Sequence, residues 1–263
     1  MNWKDWFFRI NGVASVVLVT TVLTTCGGSS SKGPQAKGAN APILLFNGSG
    51  TSPNDVFAIE SILSEGHLNY SRVNSLQLNE MSEAQLRLYR LLIVPGGNFV
   101  DIGNGLTTRT TRNIRTAVDS GLNYLGICAG GFFAGNSPYN GLNLTSGVKF
   151  RFYSIEDRGI RKAAVPITDA AGATLEHYWE DGPHFTGWGA IIGKYPDGTP
   201  AIVEGAFGGG WVVLSGVHPE APAGWRQGMI FNTPVSADRA YAGTLIRAAL
   251  NRVSLTFDSR QEL

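Results

Sequence analysis

The sequence is poor in cysteine, in charge and in long apolar runs, and each shortage excludes a class of protein. Two cysteines, Cys26 and Cys128, are too few for a disulfide-stapled scaffold, and they form no Cys-x-x-Cys zinc pair. Lysine plus arginine (21) nearly balance aspartate plus glutamate (20), so the net charge is +1. A chain with so little net charge has no field that would gather a phosphate backbone, and we expect no nucleic-acid partner.

Apolar residues and glycine are what the chain has in quantity. Hydrophobic residues make up 43% of the sequence and charged residues 16%, which is enough for one sizeable core and too apolar for a disordered chain. The 34 glycines are about twice the usual share and follow no collagen-like period. We therefore expect a globular domain with many tight turns and close backbone approaches.

The first 26 residues are predicted to be an export signal rather than part of the fold. Lys4 and Arg9 form a weakly basic start, and the uncharged run from 10 to 25 suits the apolar region of a secretory signal. This run is shorter than the roughly 20 residues that a helix needs to span a bilayer. It ends in Leu-Thr-Thr-Cys at Cys26, which resembles the lipobox of bacterial lipoproteins, in which the cysteine is lipidated.

The lipobox-like pattern departs from the usual one at Thr25, where glycine, alanine or serine is common, so an uncleaved N-terminal anchor is the alternative. Both alternatives export the protein to the cell envelope, and lipidation of Cys26 would anchor it to the membrane. The small, polar residues 27–41 predict a flexible tether, residues 42–255 the folded domain and residues 256–263 a C-terminal tail.

Apolar runs alternate with helical patterns along the predicted domain. Runs that are apolar on both faces and are closed by glycine or proline are typical of buried parallel strands. The predicted strands are 43–46, 69–73, 91–94 and 122–127, and the section 148–217 is rich in strands. One predicted helix begins after Ser52, and three more span 81–89, 107–120 and 237–253. This order predicts an α/β fold: a doubly wound, flavodoxin-like, mostly parallel sheet with helices on both faces, in a single domain.

A short motif around Cys128 has the layout of a nucleophile elbow. A predicted strand ends at Ile127, small residues follow from Ala129 to Gly131, and a helix leaves through Phe132. A cysteine on such a turn projects at the carboxyl end of a parallel sheet, where open α/β sheets bind their ligands. A lone cysteine after an apolar strand can also be a small buried hydrophobic residue, so the motif alone leaves both interpretations open.

Two further motifs follow predicted strands. His218 and Glu220 come directly after an apolar run, in the order His-Pro-Glu, and a histidine at a strand end can act as a general base whose ring a nearby carboxylate orients. Gly96 and Gly97 follow another strand in the order Val-Pro-Gly-Gly. The backbone N–H groups there and at Ala129 are candidates for an oxyanion hole, and an ordinary glycine turn is the alternative.

The chain order cysteine, histidine, acid resembles the class I glutamine amidotransferase-like superfamily. That resemblance implies a catalytic triad of Cys128, His218 and Glu220, with an oxyanion loop at Gly96 and Gly97. Four segments look more specifically like the N-terminal amidotransferase-like domain of biotin–protein ligases: ILLFNGSGTSPNDV at 43–56, VPGGNF at 94–99, GICAGGFFAG at 126–135 and SGVHPE at 215–220. Together these segments extend over nearly all of the predicted domain, and we expect a stand-alone copy without the ligase domain.

The resemblance also bears on the substrate. Phe132 stands where glutaminases of the superfamily usually carry a glutamine that helps to hold substrate glutamine, so free glutamine is not the expected substrate. The stretch from Tyr178 to Phe185 looks like the Gly-Pro-containing loop of the biotin–protein ligase family. Within it, Trp179, Glu180 and Asp181 either contact the substrate at the pocket mouth or pack as part of its wall.

Two functions of different classes follow. The first is an exported cysteine hydrolase that cleaves an amide, γ-glutamyl or peptide-like, through the Cys-His-Glu triad. The second is a catalytically silent module that binds a ligand or a protein partner. The DJ-1/PfpI-like branch also carries an elbow cysteine, but it places a glutamate near the end of the first strand, and residues 46–52 contain no acid. No metal and no cofactor are expected.

Overall fold

The computed structural model describes residues 41–256. The predicted signal peptide with Cys26, the tether up to residue 40 and the tail from residue 257 lie outside these residues, so those predictions are untested by it. In the described segment, no helix combines the length and the apolar character needed to cross a membrane.

Strands and helices alternate through residues 41–256 as the sequence predicts. The strands are β1 (Ile43–Phe46), β2 (Tyr70–Val73), β3 (Leu91–Val94), β4 (Asn123–Ile127), β5 (Arg151–Phe152), β6 (Lys162–Asp169), β7 (Thr174–Glu180), β8 (Pro183–His184), β9 (Ala190–Lys194), β10 (Pro200–Phe207) and β11 (Gly210–Ser215). The helices are α1 (Pro53–Glu65), α2 (Ser75–Glu80), α3 (Glu83–Leu86), α4 (Phe99–Asn104), α5 (Thr108–Asp119), α6 (Ala129–Ala134) and α7 (Val235–Asn251).

The main sheet has a parallel half and an antiparallel half. Its strand order is β2-β1-β3-β4-β11-β10-β9-β6-β7, and the first five of these strands are mutually parallel. The parallel half has the flavodoxin-like order, with the chain reversing its direction of winding next to β1. The remaining four strands add on antiparallel, which accounts for the strand-rich section predicted at 148–217. The predicted fold class is confirmed.

Helices cover both faces of the parallel half. Ile43 and Leu45 of β1 point into one core cluster, together with residues of α1 and α7, whereas Leu44 and Phe46 point into a second cluster with residues of α5 and α6. All four side chains are buried, because alternate residues of a strand face opposite sides of the sheet and both sides are covered. The sheet is therefore doubly wound, and its carboxyl edge is where the predicted motifs meet.

The predicted helix over residues 81–89 is shorter in the structure, and a separate helix precedes it. The side chains of Asn74 and Ser82 each accept a hydrogen bond from the backbone N–H three residues on, and the side-chain oxygens of Gln77 and Gln85 accept one from the backbone N–H of each cap. These two capping boxes begin two short helices: α2, which was not predicted, and α3, which lies within the predicted range 81–89.

Candidate active site

Cys128 sits on a strained turn between β4 and α6. Its φ of 49° and ψ of −105° are uncommon for a residue with a side chain, as expected at a nucleophile elbow. A Cβ added to Gly130 would lie 2.0 Å from the Val94 carbonyl oxygen, and one added to Gly126 would lie 2.5 Å from the Gly130 carbonyl oxygen. The elbow therefore packs against the ends of β3 and β4 so closely that only glycine fits there.

His218 reaches the same sheet edge from β11. Because β11 lies parallel to β4 with Ser215 opposite Ile127, the residues that follow the two strands come out side by side. The backbone N–H of His218 donates to the Tyr178 carbonyl at 2.8 Å, which ties this loop to β7. Parallel pairing thus brings together the two motifs that the sequence analysis singled out.

Glu220 orients the ring of His218. The Nδ1 atom of His218 hydrogen-bonds the Oε1 atom of Glu220 at 2.9 Å, and Glu220 is completely buried. That contact holds the ring so that its other nitrogen, Nε2, is available to a reacting group. The structure therefore places Glu220 where the resemblance implied.

Asp55 is a second carboxylate on the same ring, and the sequence analysis missed it. Its Oδ1 atom lies 3.1 Å from His218 Nδ1, and its side chain is 8% exposed. Asp55 belongs to the first turn of α1, directly after the loop that leaves β1, so it too stands at the carboxyl edge of the sheet. An acid at that place in a predicted β-loop-α unit was the signal that could have drawn attention to it.

Burial and charge act against each other in this cluster. Burial lowers the pKa of His218. The charges of Glu220 and Cys128, together with hydrogen bonds to Asp55 and Cys128, outweigh burial and raise this pKa well above its usual value. Burial raises the pKa of Glu220 above its usual value, and the His218 charge opposes that change. The site therefore favours an imidazolium between two acids, next to the thiol.

The three side chains Asp55, His218 and Glu220 are also a set of possible metal ligands. Their ligand atoms all lie within 4.8 Å of one another, and Glu220 Oε2 has no hydrogen-bond partner. Oxygen and imidazole donors suit a cation such as Zn²⁺. The alternative is that the two carboxylates simply face the histidine ring, which gives the same geometry. That the protein binds no metal remains a prediction from the sequence.

The glycine turn after β3 lies against Asp55 and His218. A Cβ added to Gly96 would approach Asp55 Oδ1 to 2.2 Å and His218 Cε1 to 2.6 Å. Gly97 has a φ of +140°, and the Pro95 carbonyl accepts the N–H of Gly130 at 3.2 Å, so the turn is tied to the elbow. The structure thus brings the predicted oxyanion loop beside the imidazole and ties it to the elbow that carries the thiol.

The Gly-Pro-containing loop closes over the thiol. The Cys128 thiol donates to the Glu180 carbonyl oxygen at 3.5 Å, while the Glu180 carboxylate accepts from the Tyr178 hydroxyl at 2.6 Å and pairs with Lys162 at 3.1 Å. Trp179 is completely buried and donates its indole N–H to the Gly182 carbonyl. It therefore packs as part of the pocket wall.

The contacts of the Asp181 and Phe132 side chains are with residues other than Cys128. Asp181 pairs with Arg161 at 3.4 Å at a partly exposed position. Phe132 stacks on Phe99 with ring centroids 4.7 Å apart, in an aromatic cluster beside α6. Their substrate contacts stay predictions.

Comparison with known sequences matches the first half of this domain. The family model described as the N-terminal part of biotin–protein ligase matches residues 41–142. A biotin–protein ligase from Schizosaccharomyces pombe is 29% identical over 164 residues, which are 51% of this chain and 26% of that protein. The chain thus spans about a quarter of the length of that curated relative. The matched family segment includes Asp55 and Cys128 and ends before His218.

Comparison with solved structures extends over most of the chain. The crystal structure of a glutamine amidotransferase superposes with a TM-score of 0.56 at 17% identity, covering 79% of this chain and 98% of that one. The chain has a glutamine amidotransferase-like fold. The predicted resemblance to this superfamily and to the N-terminal domain of biotin–protein ligases is confirmed.

The fold by itself does not decide the chemistry. The GH42 β-galactosidase Gan42B from G. stearothermophilus also superposes, with a TM-score of 0.50 at 11% identity, covering 79% of this chain and 30% of that enzyme. A fold found in a glutamine amidotransferase thus recurs within a glycosidase. Function must therefore be argued from the residues of the site.

Proposed function

We propose that the protein is a cysteine hydrolase that cleaves an amide bond, γ-glutamyl or peptide-like. The observation that carries this proposal is His218, whose ring is hydrogen-bonded to the buried carboxylate of Glu220 at 2.9 Å and whose pKa is raised by the neighbouring charges of Glu220 and Cys128. A nucleophile, a base and an orienting acid in this order are the parts of a triad. Asp55 is a second acid that stabilises the imidazolium.

The reaction runs in two halves with one covalent intermediate. The Cys128 sulfur attacks the carbonyl carbon, and backbone N–H groups at Gly97 and Ala129 stabilise the oxyanion that forms. The C–N bond then breaks as His218 gives its proton to the leaving amine, which leaves a thioester on Cys128. A water molecule gives a proton to His218 and attacks the thioester, which releases the carboxylic acid and restores the thiol.

Trapping the thioester tests this proposal. The full chain, carrying Cys26→Ser so that Cys128 is the one cysteine, is mixed with a panel of γ-glutamyl and peptide amides and followed by intact mass. We expect a mass increase equal to the acyl group, and its loss after treatment with hydroxylamine. Cys128→Ala should fold like the parent chain and turn over no substrate, and turnover at the parent rate by that variant would disprove the mechanism.

A catalytically silent binding module is the second candidate. It is favoured by the 6% exposure of Cys128, whose thiol is engaged by the Glu180 carbonyl, and by Phe132 in place of the glutaminase glutamine. This function predicts that amides bind without any acyl-enzyme and that Cys128→Ala binds them unchanged. A trapped thioester would exclude it.

Export and lipid anchoring are proposed from the N-terminal sequence. The uncharged run before Cys26 and the lipobox-like pattern support a lipoprotein at the cell envelope. Expression of the full chain in a bacterial host with labelled palmitate should label the wild type and leave Cys26→Ser unlabelled. Equal labelling of both chains, or none of either, would contradict lipidation at this residue.

A further inference from the structure

A cleft of about 530 Å³ opens beside α6, and four of the five Phe and Tyr side chains that line it are grouped together. The ring of Phe132 stacks on Phe99 at 4.7 Å and meets Phe152 edge-on at 4.8 Å, and Phe99 contacts Tyr139 at 6.0 Å. Phe152 is 40% exposed and Tyr139 is 44% exposed. Grouped exposed aromatic side chains of this kind mark binding sites, because a folded chain normally buries them.

The rest of the cleft carries charge of both signs. Lys149 and Arg151 line it, and neither makes an ion pair with another described residue. Asp197 lines it as well and accepts hydrogen bonds from the Thr199 backbone and hydroxyl at 3.0 and 2.7 Å. Burial raises the pKa of Asp197, but these hydrogen bonds and one from Ser154 hold the pKa below its usual value. The carboxylate therefore stays ionised.

Three other titratable groups face the cleft. Glu156 pairs with Arg161, which offsets its charge, and Asp157 is exposed. Burial lowers the pKa of His184, so its ring is neutral at pH 7. Two free cations, the ionised Asp197 and the exposed Asp157 therefore stand around an aromatic wall.

A short segment links this cleft to the thiol. Glu180 contacts the Cys128 thiol through its carbonyl, and His184, four positions later, lines the cleft. Strand β8 pairs antiparallel with β5, so Arg151 lies opposite His184 and Phe152 lies opposite Pro183. The cleft is thus built on the strand pair that continues from the loop over the thiol.

We propose that this cleft binds a free α-amino acid with an aromatic side chain. The ring of the ligand packs on the exposed ring of Phe152, which meets the buried Phe132 edge-on, Arg151 binds its carboxylate, and Asp197 attracts its ammonium group. Aromatic packing and charge-assisted hydrogen bonds are the contacts that such a zwitterion requires, and the volume of the cleft lies in the range of small-molecule sites. The proposal goes beyond the hydrolase function and does not depend on turnover at Cys128.

Calorimetric titration of the full chain carrying Cys128→Ala tests the proposal, since no chemistry can then occur at the thiol. The probes are L-phenylalanine, 3-phenylpropanoate without the ammonium group, 2-phenylethylamine without the carboxylate, and L-glutamine. We expect saturable binding of one L-phenylalanine per chain and at least about tenfold weaker binding of the other three, because each lacks a charge-assisted bond or the ring packing.

Variants on the exposed strand β5 assign the contacts. Arg151→Gln should weaken the binding of L-phenylalanine about tenfold. It should leave the binding of 2-phenylethylamine unchanged, since that probe has no carboxylate. Phe152→Ser should weaken the binding of both probes. Tyr139→Ser provides a second variant of the aromatic cluster if Phe152→Ser fails to fold. The matched controls are the exposed Arg112→Gln and Phe57→Ser, which lie outside the cleft and should change nothing.

Three results would overturn the proposal. These are no heat of binding from L-phenylalanine at millimolar concentration, equal binding of L-phenylalanine and L-glutamine, and an unchanged affinity for L-phenylalanine in Arg151→Gln. Because binding is measured without the thiol, each of these results is independent of whether the parent chain hydrolyses an amide.

Discussion

Replacing Glu220 by glutamine removes the central charge of the proposed triad and keeps its shape. The Glu220 carboxylate lies 2.9 Å from His218 Nδ1 and is completely buried, so the two groups form a charge-assisted hydrogen bond away from water. A hydrogen bond to a charged group contributes about 1.5–3 kcal/mol, a factor of about 10 to 160 in an equilibrium constant. We expect the ratio of the imidazolium–thiolate pair to the neutral pair to fall by that factor in Glu220→Gln.

The rate of Cys128 alkylation by iodoacetamide reports this ratio, because the thiolate is the reactive form. Rates are measured by intact mass between pH 5 and 10 on the full chain carrying Cys26→Ser. The midpoint of the rate profile should move up by about one to two pH units in Glu220→Gln. Asp55→Asn should give a smaller shift, since Asp55 is farther from Nδ1, at 3.1 Å, and Glu220 remains in place.

The exposed Glu80→Gln on α2 is the matched control and should reproduce the parent profile. Coincident profiles for the parent, Glu220→Gln and Glu80→Gln would refute the reasoning, because a buried carboxylate at hydrogen-bond distance would then have no effect on the imidazole. The chemical shift of the His218 ring provides a second readout, and its titration midpoint should fall in Glu220→Gln.

Two further predictions concern stability. Gly130→Ala should lower the free energy of unfolding in urea by about 1–3 kcal/mol, since the new Cβ would lie 2.0 Å from the Val94 carbonyl oxygen. Gly224→Ala, which meets nothing within 4 Å, should stay within about 0.5 kcal/mol, and equal losses in both would argue against a tightly packed elbow. Because the folded-state pKa of His218 is raised, its contribution is complete below the unfolded value of about 6.5 and is lost as the pH rises through the folded value. The melting temperature should therefore fall on the alkaline side, and His218→Gln should flatten that fall; an unchanged slope would contradict the raised pKa.

The parallel half of the sheet could be predicted because its signals are local. Each buried strand is a short apolar run closed by glycine or proline, and the elbow, the His-Pro-Glu motif and the Val-Pro-Gly-Gly turn all follow such runs. Strands of a parallel sheet end at one edge, so motifs placed after them were bound to meet. The residues of the proposed triad, Cys128, His218 and Glu220, were therefore predictable from local patterns together with the family resemblance.

Helix α2 was less accessible from the sequence. The predicted helix begins near Ser82, and none was predicted before it, because the six residues of α2 are too few to show a helical apolar period. The pairing of the strands in 148–217 was equally open, since several antiparallel orders satisfy the same apolar patterns. Burial by neighbouring elements decides between such orders.

The sequence by itself determined the alternating α/β order, the strained cysteine turn and the histidine with its acid two residues on, because each is written in residues that are neighbours in the chain. Only the tertiary structure placed Asp55 3.1 Å from the His218 ring, laid the Glu180 carbonyl against the thiol, and gathered Phe99, Phe132 and Phe152 into one cleft. The physical reason is that these contacts depend on strand pairing and on the loops that close the sheet edge. Residues far apart in the chain carry no local signal of such an approach.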